Sequence, residues 1–292
     1  MSEISFSVII PAYNSSEFLT EAIRSVLAQR YACSEIIVVN DGSTDTTLEV
    51  ASGFGDKVTV VDQVNSGAAA SRNNGIKQAN GDYLAFLDAD DLWLPDKLAL
   101  QADKIRSGFP MVYTNRYNFG EVGDLPKVQT EIMNLPEGEI WRMLIKGNMV
   151  TTSSVVIKKK IFAELGGFNP TLPPCEDWDL WLKCAEQYPI GCCQEPLVKY
   201  RLHPGGISRN YAKMHEMRKL VVQRALGSEK GRALPEKEKR QIHAGIWSSS
   251  GWEAAVAKDY RYAFSCYSRA LSFTKLDWHL WYDIARVMAG RV

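Results

Sequence analysis

Short apolar runs alternate with helical segments over about the first ninety residues, and this alternation limits the possible folds more than any other feature. Four runs, at residues 6–10, 35–40, 58–62 and 83–87, are rich in β-branched and aromatic residues and are predicted to be strands. Apolar residues at helical spacing predict helices over residues 15–29 and 66–79. Because strands and helices that alternate in this way form parallel sheets with right-handed crossovers, the sequence predicts an α/β fold.

Polar residues follow three of these strands where each one ends. Pro11-Ala12-Tyr13 follows the first strand, Asp41-Gly42-Ser43 the second, and Asp88-Ala89-Asp90 the fourth. Ligands of such sheets bind beyond the carboxyl ends of the strands. The sequence therefore predicts one binding site that all three segments form together.

The Asp88-Ala89-Asp90 segment suggests a cation site. Side chains alternate along an extended backbone, so Asp88 and Asp90 are expected to point the same way. Two carboxylates this close repel unless a cation lies between them and a further anion, and Mg²⁺ or Mn²⁺ with substrate phosphates fits that description. The alternative is an acidic turn, which often follows a strand.

Asp41 is a candidate for contact with a nucleobase. No G-x-G-x-x-G follows the first strand and no G-x-x-x-x-G-K-[ST] occurs, which disfavours dinucleotide oxidoreductases and P-loop enzymes. An ionised carboxylate only accepts hydrogen bonds, so Asp41 would suit the N–H of uracil, thymine or guanine but not cytosine. The alternative is a turn or helix cap before Gly42.

Composition excludes other classes. Lys+Arg and Asp+Glu both number 34, so no basic surface points to a nucleic-acid partner. No apolar stretch reaches 18 residues, and residues 1–5 lack the pattern of a signal peptide. The six cysteines are irregularly spaced without a C-x2-C pair, which predicts reduced, buried thiols in a cytoplasmic protein.

Four motifs carry a resemblance to a known family. They are Ser7-Val8-Ile9-Ile10-Pro11-Ala12-Tyr13-Asn14, Val39-Asn40-Asp41-Gly42-Ser43-Thr44-Asp45, Asn65-Ser66-Gly67 with Ser71-Arg72-Asn73, and Asp88-Ala89-Asp90-Asp91. From about residue 5 to about residue 205 the chain resembles the family 2 inverting glycosyltransferases of the GT-A fold. The resemblance implies a Rossmann-like, mostly parallel sheet that binds a nucleoside-diphosphate sugar.

The same resemblance implies roles for individual residues. On the donor side, Pro11, Ala12 and Tyr13 would line the base pocket, and Asp41 would contact the base. Arg72 would lie near the nucleotide, and Asp88 would contact the ribose or metal-bound water. Asp90 would hold Mn²⁺ or Mg²⁺ against the diphosphate. The family usually has Asp where this chain has Asn40.

The second half supplies candidates for the acceptor side. A strand is predicted over residues 152–157, a helix over 158–165, and then a turn before Glu176-Asp177. Acids in the first turn of a helix are favoured by its dipole, which is one explanation of this pair. The other is a general base, because inversion by direct displacement needs a carboxylate to take the proton of the acceptor hydroxyl. The family's Glu-Asp motif implies that Asp177 is this base and that Glu176 orients the acceptor or a loop.

Four further residues, two tryptophans, an arginine and a histidine, are candidates for the core or for the site. Trp178 and Trp181 lie three apart on the predicted helix; Trp181 is expected in the core, and Trp178 in the core or on the acceptor. Arg201 and His203 follow a strand that ends near Tyr200. Arg201 would suit the diphosphate and His203 the metal, whereas a lone histidine is more often structural.

From about residue 208 the sequence becomes helical, giving a predicted catalytic domain of residues 1–207 and a helical region of 208–292. Residues 211–226 are predicted to be one helix and 227–235 a connector. Part of a tetratricopeptide signature follows at Trp247, Gly251, Ala263, Tyr267 and Ala270, which predicts one helical hairpin. The aromatic residues Trp278, Trp281 and Tyr282 are expected to close its small core, with a docking surface, such as a homodimer contact, as the alternative.

The favoured function is a metal-dependent inverting glycosyltransferase that moves a sugar from a nucleoside diphosphate, preferably UDP, to a glycan or lipid-linked acceptor. Family membership would imply bacterial polysaccharide assembly in the cytoplasm, with peripheral association at the inner face of the membrane. A sugar-phosphate nucleotidyltransferase is disfavoured because Pro11-Ala12-Tyr13-Asn14 replaces its glycine-rich loop. A non-catalytic scaffold that acts through the helical region is the remaining alternative.

Overall fold

The computed structural model describes residues 3–120, 127–131, 133–203, 211–274 and 278–288. The strands are β1 Phe6–Ala12, β2 Glu35–Asn40, β3 Thr59–Asp62, β4 Tyr83–Phe86, β5 Leu92–Trp93, β6 Met111–Gly120, β7 Val156–Lys158 and β8 Ile190–Leu202. The first seven helices are α1 Leu19–Leu27, α2 Thr47–Ser52, α3 Ala68–Gln78, α4 Lys97–Arg106, α5 Trp141–Leu144, α6 Lys159–Glu164 and α7 Glu176–Gln187. They are followed by α8 Tyr211–Leu226, α9 Glu229–Arg232, α10 Glu236–Val256, α11 Tyr260–Phe273 and α12 Trp278–Met288.

The chain divides into two compact units. One contains Met1–Trp141 and Met149–Pro204, and the other contains Arg142–Asn148 and Gly205–Val292. The predicted boundary between residues 207 and 208 lies outside the described residues. Membership of residues 142–148 in the second unit had no counterpart in the sequence analysis.

An eight-stranded sheet in the order β3-β2-β1-β4-β7-β6-β8-β5 forms the first unit. The first four strands are parallel, as predicted, with β1 and β2 in register from Ser7 opposite Glu35 to Ala12 opposite Asn40. Strand β7 then runs antiparallel to both β4 and β6, β6 pairs parallel with β8, and β5 pairs antiparallel with β8. The sheet is therefore mostly parallel on one side and mixed on the other.

Helices cover the parallel part of the sheet closely. Helix α1 buries Leu19, Ala22, Ile23 and Val26 at helical spacing. Helix α3 has few large apolar side chains and approaches the sheet through Gly75, where a Cβ atom would lie 2.9 Å from both Ile9 Cγ2 and Val39 Cγ2. This close approach holds α3 against β1 and β2.

The predicted strand over residues 152–157 is wrong in its first half. Thr152–Ser154 form a 3₁₀ helix, and only Val156–Lys158 pair in the sheet. Ser154 N–H and the Ser154 hydroxyl both donate to Thr151 O, at 2.9 and 2.7 Å. Serine and threonine often satisfy the backbone locally in this way instead of extending it into a strand.

In the second unit, α10 and α11 form the predicted hairpin. Gly251 of α10 faces α11, where a Cβ atom would lie 3.1 Å from Tyr267 Cζ and 3.2 Å from Ala263 O. Arg240 near the start of α10 donates to Phe273 O at the end of α11 (3.1 Å), so the two helices are antiparallel. Within the predicted connector, residues 229–232 form the short helix α9.

The aromatic residues of α12 do not close the core of the hairpin, so that expectation is wrong. Leu280 and Val287 are 4% and 3% exposed and pack into the core, whereas Trp278, Trp281 and Tyr282 are 75%, 49% and 55% exposed. Among the cysteines, Cys33 is half-buried and the other five are buried, all as free thiols. Across the described part of the chain, we find no helix long and apolar enough to cross a bilayer.

Candidate active site

The ends of β1, β2 and β4 lie side by side, as the sequence predicted. Ala12 is in register with Asn40, and Ile9 with Phe86, because β1 is the central strand of the three. Tyr13 follows β1 with half of its side chain exposed, whereas Ala12 is buried and Pro11 is partly buried. At this edge, Tyr13 has the surface needed to contact a ligand.

Asp41 anchors the loop that leads into α3. It is buried, and its Oδ1 accepts from Gln63 Nε2 (2.7 Å) and Ser66 N (2.8 Å), while its Oδ2 accepts from Gly67 N (2.8 Å). A carboxylate has about four acceptor positions, so these three donors leave space for one further N–H. The carboxylate thus holds the loop of residues 63–67 and makes neither of the predicted local contacts, a turn or a helix cap before Gly42. Its contact with a nucleobase stays a prediction.

Asn40, the departure from the family pattern, has a direct structural explanation. Its Nδ2 donates to Asp62 Oδ1 at 2.7 Å, across the register that pairs β2 with β3. An aspartate at position 40 would place two carboxylates at that distance. The amide instead turns a repulsive contact into a hydrogen bond.

Arg72 joins two motifs that are far apart in the sequence. The Arg72 side chain is 7% exposed, and it donates from Nη2 to Asp88 Oδ1 (2.6 Å) and from Nη1 to Glu176 Oε1 (3.0 Å). Its guanidinium carbon lies 5.4 Å from the centre of the Phe168 ring. Burial lowers the pKa of Arg72, but the charges of these two carboxylates outweigh that effect, so the pKa of Arg72 is raised. Arg72 therefore bridges Asp88, at the strand end, and Glu176, at the start of α7. Its place near the nucleotide stays a prediction.

Asp90 contacts His203, its predicted partner in metal binding. The distance from Asp90 Oδ2 to His203 Nε2 is 3.0 Å, and both side chains remain about a third exposed. Burial and the neighbouring charge of Asp88 raise the pKa of Asp90. Among the described residues, no group of three or more His, Cys, Asp or Glu side chains could hold a metal ion. The Asp90–His203 pair fits a divalent cation only if diphosphate oxygens and water supply the other ligands.

Arg201 has contacts other than the predicted one with a diphosphate. Its Nε donates to Asp90 O (2.8 Å) and its Nη2 to Glu21 Oε2 (2.9 Å). The guanidinium lies between the rings of Phe18 and Phe119, 4.5 and 4.4 Å from their centres. Arg201 therefore fastens the end of β8 to the Asp-Ala-Asp segment, and its contact with the donor stays a prediction.

Asp91 organises the site and was missed in the sequence analysis. It is fully buried and accepts from the Ser153 hydroxyl (2.6 Å) and from Arg201 N (2.8 Å). Burial, together with the charges of Asp90 and Asp88, raises its pKa. The one signal in the sequence was a third carboxylate directly after the Asp-x-Asp pair.

Asp177 has the environment of a general base. Its Oδ2 accepts from the Thr152 hydroxyl (3.0 Å) and its Oδ1 from Trp178 N (2.6 Å). Burial, and then the charge of Glu176, raise the pKa of Asp177 to about 7, while Arg72 opposes the rise. A carboxylate with such a pKa can accept a proton near neutral pH more readily than an ordinary one.

The two tryptophans of α7 are both buried. Trp181 is fully buried against Phe86 and Phe168, with ring centres 6.3 and 5.8 Å away, which confirms its predicted place in the core. Trp178 is 3% exposed. This burial argues against the predicted stacking of Trp178 on an acceptor sugar, because a sugar needs an open ring face.

Comparisons with known proteins are consistent with this geometry. Residues 7–166 match the profile of glycosyl transferase family 2. An uncharacterized glycosyltransferase of Rickettsia conorii is 37% identical over 212 residues, which is 68% of this chain and 34% of the relative. The UDP-Glc:alpha-D-GlcNAc-diphosphoundecaprenol beta-1,3-glucosyltransferase WfgD of Escherichia coli is 29% identical over 215 residues, covering 72% of this chain and 82% of that protein. The chain spans 30% to 64% of the length of five Rickettsia relatives.

Solved structures show the fold. S. aureus TarS 1-349 in complex with UDP-GlcNAc superimposes with a TM-score of 0.70 at 20% identity, covering 99% of this chain and 89% of the other. The mannosyltransferase PcManGT from Pyrobaculum calidifontis, in complex with GDP-Man and Mn²⁺, gives 0.67 at 16% identity, covering 99% and 81%. The predicted GT-A fold with a helical C-terminal region is thereby confirmed.

Proposed function

Because the chain belongs to glycosyl transferase family 2, we propose that it transfers a sugar from a nucleoside-diphosphate donor to an acceptor hydroxyl with inversion. The observation that carries this proposal is the bridge from Asp88 through Arg72 to Glu176, whose neighbour is Asp177. It brings the strand ends, where donors of such sheets bind, next to a carboxylate suited to proton transfer. One arginine thus joins the two halves that a displacement reaction requires.

On the donor side, Tyr13 and Asp41 are the proposed contacts with the base. The free acceptor position of Asp41 suits the N3–H of uracil, and equally the N1–H of guanine. UDP is the favoured nucleotide, since the E. coli relative is named for UDP-Glc and the S. aureus structure holds UDP-GlcNAc. GDP is the alternative, because the archaeal structure holds GDP-Man.

Asp90 and His203 would hold Mn²⁺ or Mg²⁺ with the donor diphosphate, and such a cation would offset the charge that develops on the leaving group. Asp88, paired with Arg72, is proposed to orient the ribose or a metal-bound water. Arg201 keeps Asp90 in place through its contact with the Asp90 carbonyl.

On the acceptor side, Asp177 takes the proton of the attacking hydroxyl. The acceptor oxygen forms the new bond to the anomeric carbon, the bond from that carbon to the diphosphate oxygen breaks, and the configuration inverts. Asp177 must be ionised to act, so activity is expected to rise with pH through about 7, the value to which its pKa is raised. Glu176, held by Arg72, fixes the start of α7.

The acceptor is proposed to be a glycan, and a lipid-linked one is favoured. This follows from the name of the E. coli relative, whose acceptor is a diphosphoundecaprenol-linked sugar. A lipid-linked acceptor would bring the protein to the membrane surface at the inner face. The exposed aromatic side chains of α12 are available for a contact of the second unit, and a homodimer through them is part of the proposal.

The test is a transfer assay with UDP-glucose, UDP-GlcNAc and GDP-mannose, with and without Mn²⁺, on a GlcNAc-diphosphate-lipid acceptor. The anomeric configuration of the product is read by NMR. Asp177→Asn should lower turnover by about 10²–10⁴-fold with donor affinity unchanged. Asp179→Asn is the matched control, since this first-turn carboxylate pairs with Lys183 at 2.7 Å on the same helix. Donor binding without turnover on any acceptor would favour the scaffold alternative instead.

A further inference from the structure

The 3₁₀ turn of residues 151–154, which we call the hydroxyl turn, carries four buried hydroxyl groups in a row. Thr151, Thr152, Ser153 and Ser154 are at most 9% exposed, and all four have hydrogen-bond partners. The Ser154 hydroxyl stays within the turn, on Thr151 O, and Thr151 accepts from Arg116. Thr152 and Ser153 instead reach the two sides of the active site.

Ser153 contacts the donor side. Its hydroxyl oxygen accepts from Asp88 N (3.0 Å) and its proton goes to Asp91 Oδ2 (2.6 Å). The next residue along, Thr152, contacts the acceptor side through Asp177 Oδ2 at 3.0 Å. Adjacent residues on one backbone therefore hold the Asp-Ala-Asp-Asp segment and the proposed base at a fixed separation.

The two oxygens of Asp177 each receive a donor. Trp178 N donates to Oδ1 at 2.6 Å and the Thr152 hydroxyl donates to Oδ2 at 3.0 Å. The N–H of Trp178 belongs to the same helix as Asp177, so it cannot by itself orient the carboxylate toward the hydroxyl turn. Thr152 donates to the carboxylate from outside α7.

We propose that Thr152 is a positioning residue for Asp177: its hydroxyl fixes the orientation of the carboxylate and stabilises the ionised form that accepts the acceptor's proton. This inference rests on the proposed function, because it assumes that Asp177 is the base. It adds a residue outside the Glu-Asp motif to the machinery of the reaction.

The direction of the effect follows from the groups that face Asp177. Burial and the charge of Glu176, on its own helix, raise the pKa of Asp177. Arg72 from α3, the hydroxyl of Thr152 from the turn and the N–H of Trp178 lower it. Removing the Thr152 hydroxyl takes away one of the lowering contributions, so the pKa of Asp177 rises and less of the base is ionised at pH 7.

The experiment compares four variants of the full chain: Thr152→Val, Thr152→Ala, Thr152→Ser and Ser154→Ala. The pKa of Asp177 is measured by ¹³C NMR on protein with labelled aspartate carboxyls, with the signal assigned by its loss in Asp177→Asn. The pH dependence of UDP release from UDP-glucose, with the acceptor present, is measured beside it. The Ser154→Ala control removes a hydroxyl of the same turn that is just as buried but contacts neither carboxylate.

We expect the valine and alanine variants to raise the pKa of Asp177 by about one unit, a shift typical of a lost hydrogen bond to a charged group. The acid limb of their activity profiles should move by the same amount, with much of the activity recovered at high pH. Thr152→Ser and Ser154→Ala should keep the wild-type pKa and profile.

An unchanged pKa in both Thr152→Val and Thr152→Ala overturns the inference, as does an equal shift in Ser154→Ala. Activity that falls equally at all pH values in the valine and alanine variants also overturns it, because that would show a merely structural role. A wild-type protein that releases no nucleotide from UDP-glucose, UDP-GlcNAc or GDP-mannose at any pH would contradict the proposed function, whereas the NMR titration would still decide whether Thr152 controls Asp177.

Discussion

Substitution of Arg72 is expected to destabilise the first unit strongly. Arg72→Met keeps an unbranched stem like that of arginine but removes the guanidinium, which lies 2.6 Å from Asp88 and 3.0 Å from Glu176, so both carboxylates lose their cation. Removing one partner of a buried ion pair typically costs about 3–5 kcal/mol, which is a large part of the 5–15 kcal/mol that holds a domain together. Glu176 accounts for most of this cost, since its side chain is 7% exposed and that of Asp88 is 29% exposed.

The chain has two compact units, so unfolding of the whole protein would mix their stabilities. Hydrogen exchange across a urea series, read by mass spectrometry at peptides from β4 and α7, reports on the first unit alone. The matched control is Arg30→Met. It breaks an ion pair of the same length, 2.7 Å to Asp96, whose side chains are 72% and 43% exposed, so it should cost less than about 1 kcal/mol.

A second variant separates the charge from the packing of the arginine. Glu176→Gln in the Arg72→Met background removes the stranded charge, so it should recover about 1–3 kcal/mol. A cost of Arg72→Met no larger than that of Arg30→Met would contradict this prediction, as would unfolding free-energy changes of Arg72→Met and Glu176→Gln that simply add. Either result would mean that water or a rearranged side chain replaces the guanidinium without cost.

Three further predictions concern other parts of the molecule. Asp90→Ala should abolish the enhancement of UDP binding by Mn²⁺ in calorimetric titrations while the melting temperature stays near that of the wild type, because a partly exposed carboxylate carries little packing energy. Asp41→Asn should weaken UDP binding at least about tenfold, since an amide cannot accept all the hydrogen bonds from Gln63, Ser66 and Gly67. Gly251→Val should destabilise the helical unit by about 1–3 kcal/mol through its contact with Tyr267, and Gly245→Ala on the same helix, where a Cβ meets nothing within 4 Å, should stabilise it by up to about 1 kcal/mol. Urea unfolding followed by circular dichroism distinguishes these two glycine variants.

The parallel half of the sheet could be predicted because its strands are continuous apolar runs between recognisable helices. The mixed half was predicted only in part: the predicted strand over residues 152–157 overlaps β7 in two residues, and β5 has two residues, too few to show a period. Strand β6 is ten residues long, but its partner β8 begins about eighty residues later and a bulge interrupts their register. Pairing at that separation depends on tertiary contacts that no local pattern reports.

The candidate site divides in the same way. Carboxylates that stand at strand and helix ends could be found from their positions, and the structure brings Asp88 within one arginine of the Glu-Asp pair. The hydroxyl turn could not be found, because serine and threonine are compatible with strands, turns and exposed loops alike. Only the contacts of Thr152 and Ser153 with Asp177 and Asp91 distinguish this turn from an ordinary one.

The structure also changes the argument that led from Asp88 and Asp90 to a metal. Two neighbouring carboxylates require a compensating charge, and their spacing in the sequence suggested a cation from solution. Within the protein, Arg72 supplies a cation for Asp88. Asp90 contacts His203, and burial and the charge of Asp88 still raise the pKa of Asp90. One of the two aspartates is therefore paired without a metal, so the spacing of the aspartates is not by itself the sign of a cation. The feature that still favours a cation is the pair of partly exposed side chains of Asp90 and His203, next to the strand ends where a diphosphate would lie. Metal dependence should accordingly reside in Asp90 and in the bound nucleotide together, so that Mn²⁺ binds weakly to the protein alone and tightly once UDP is present.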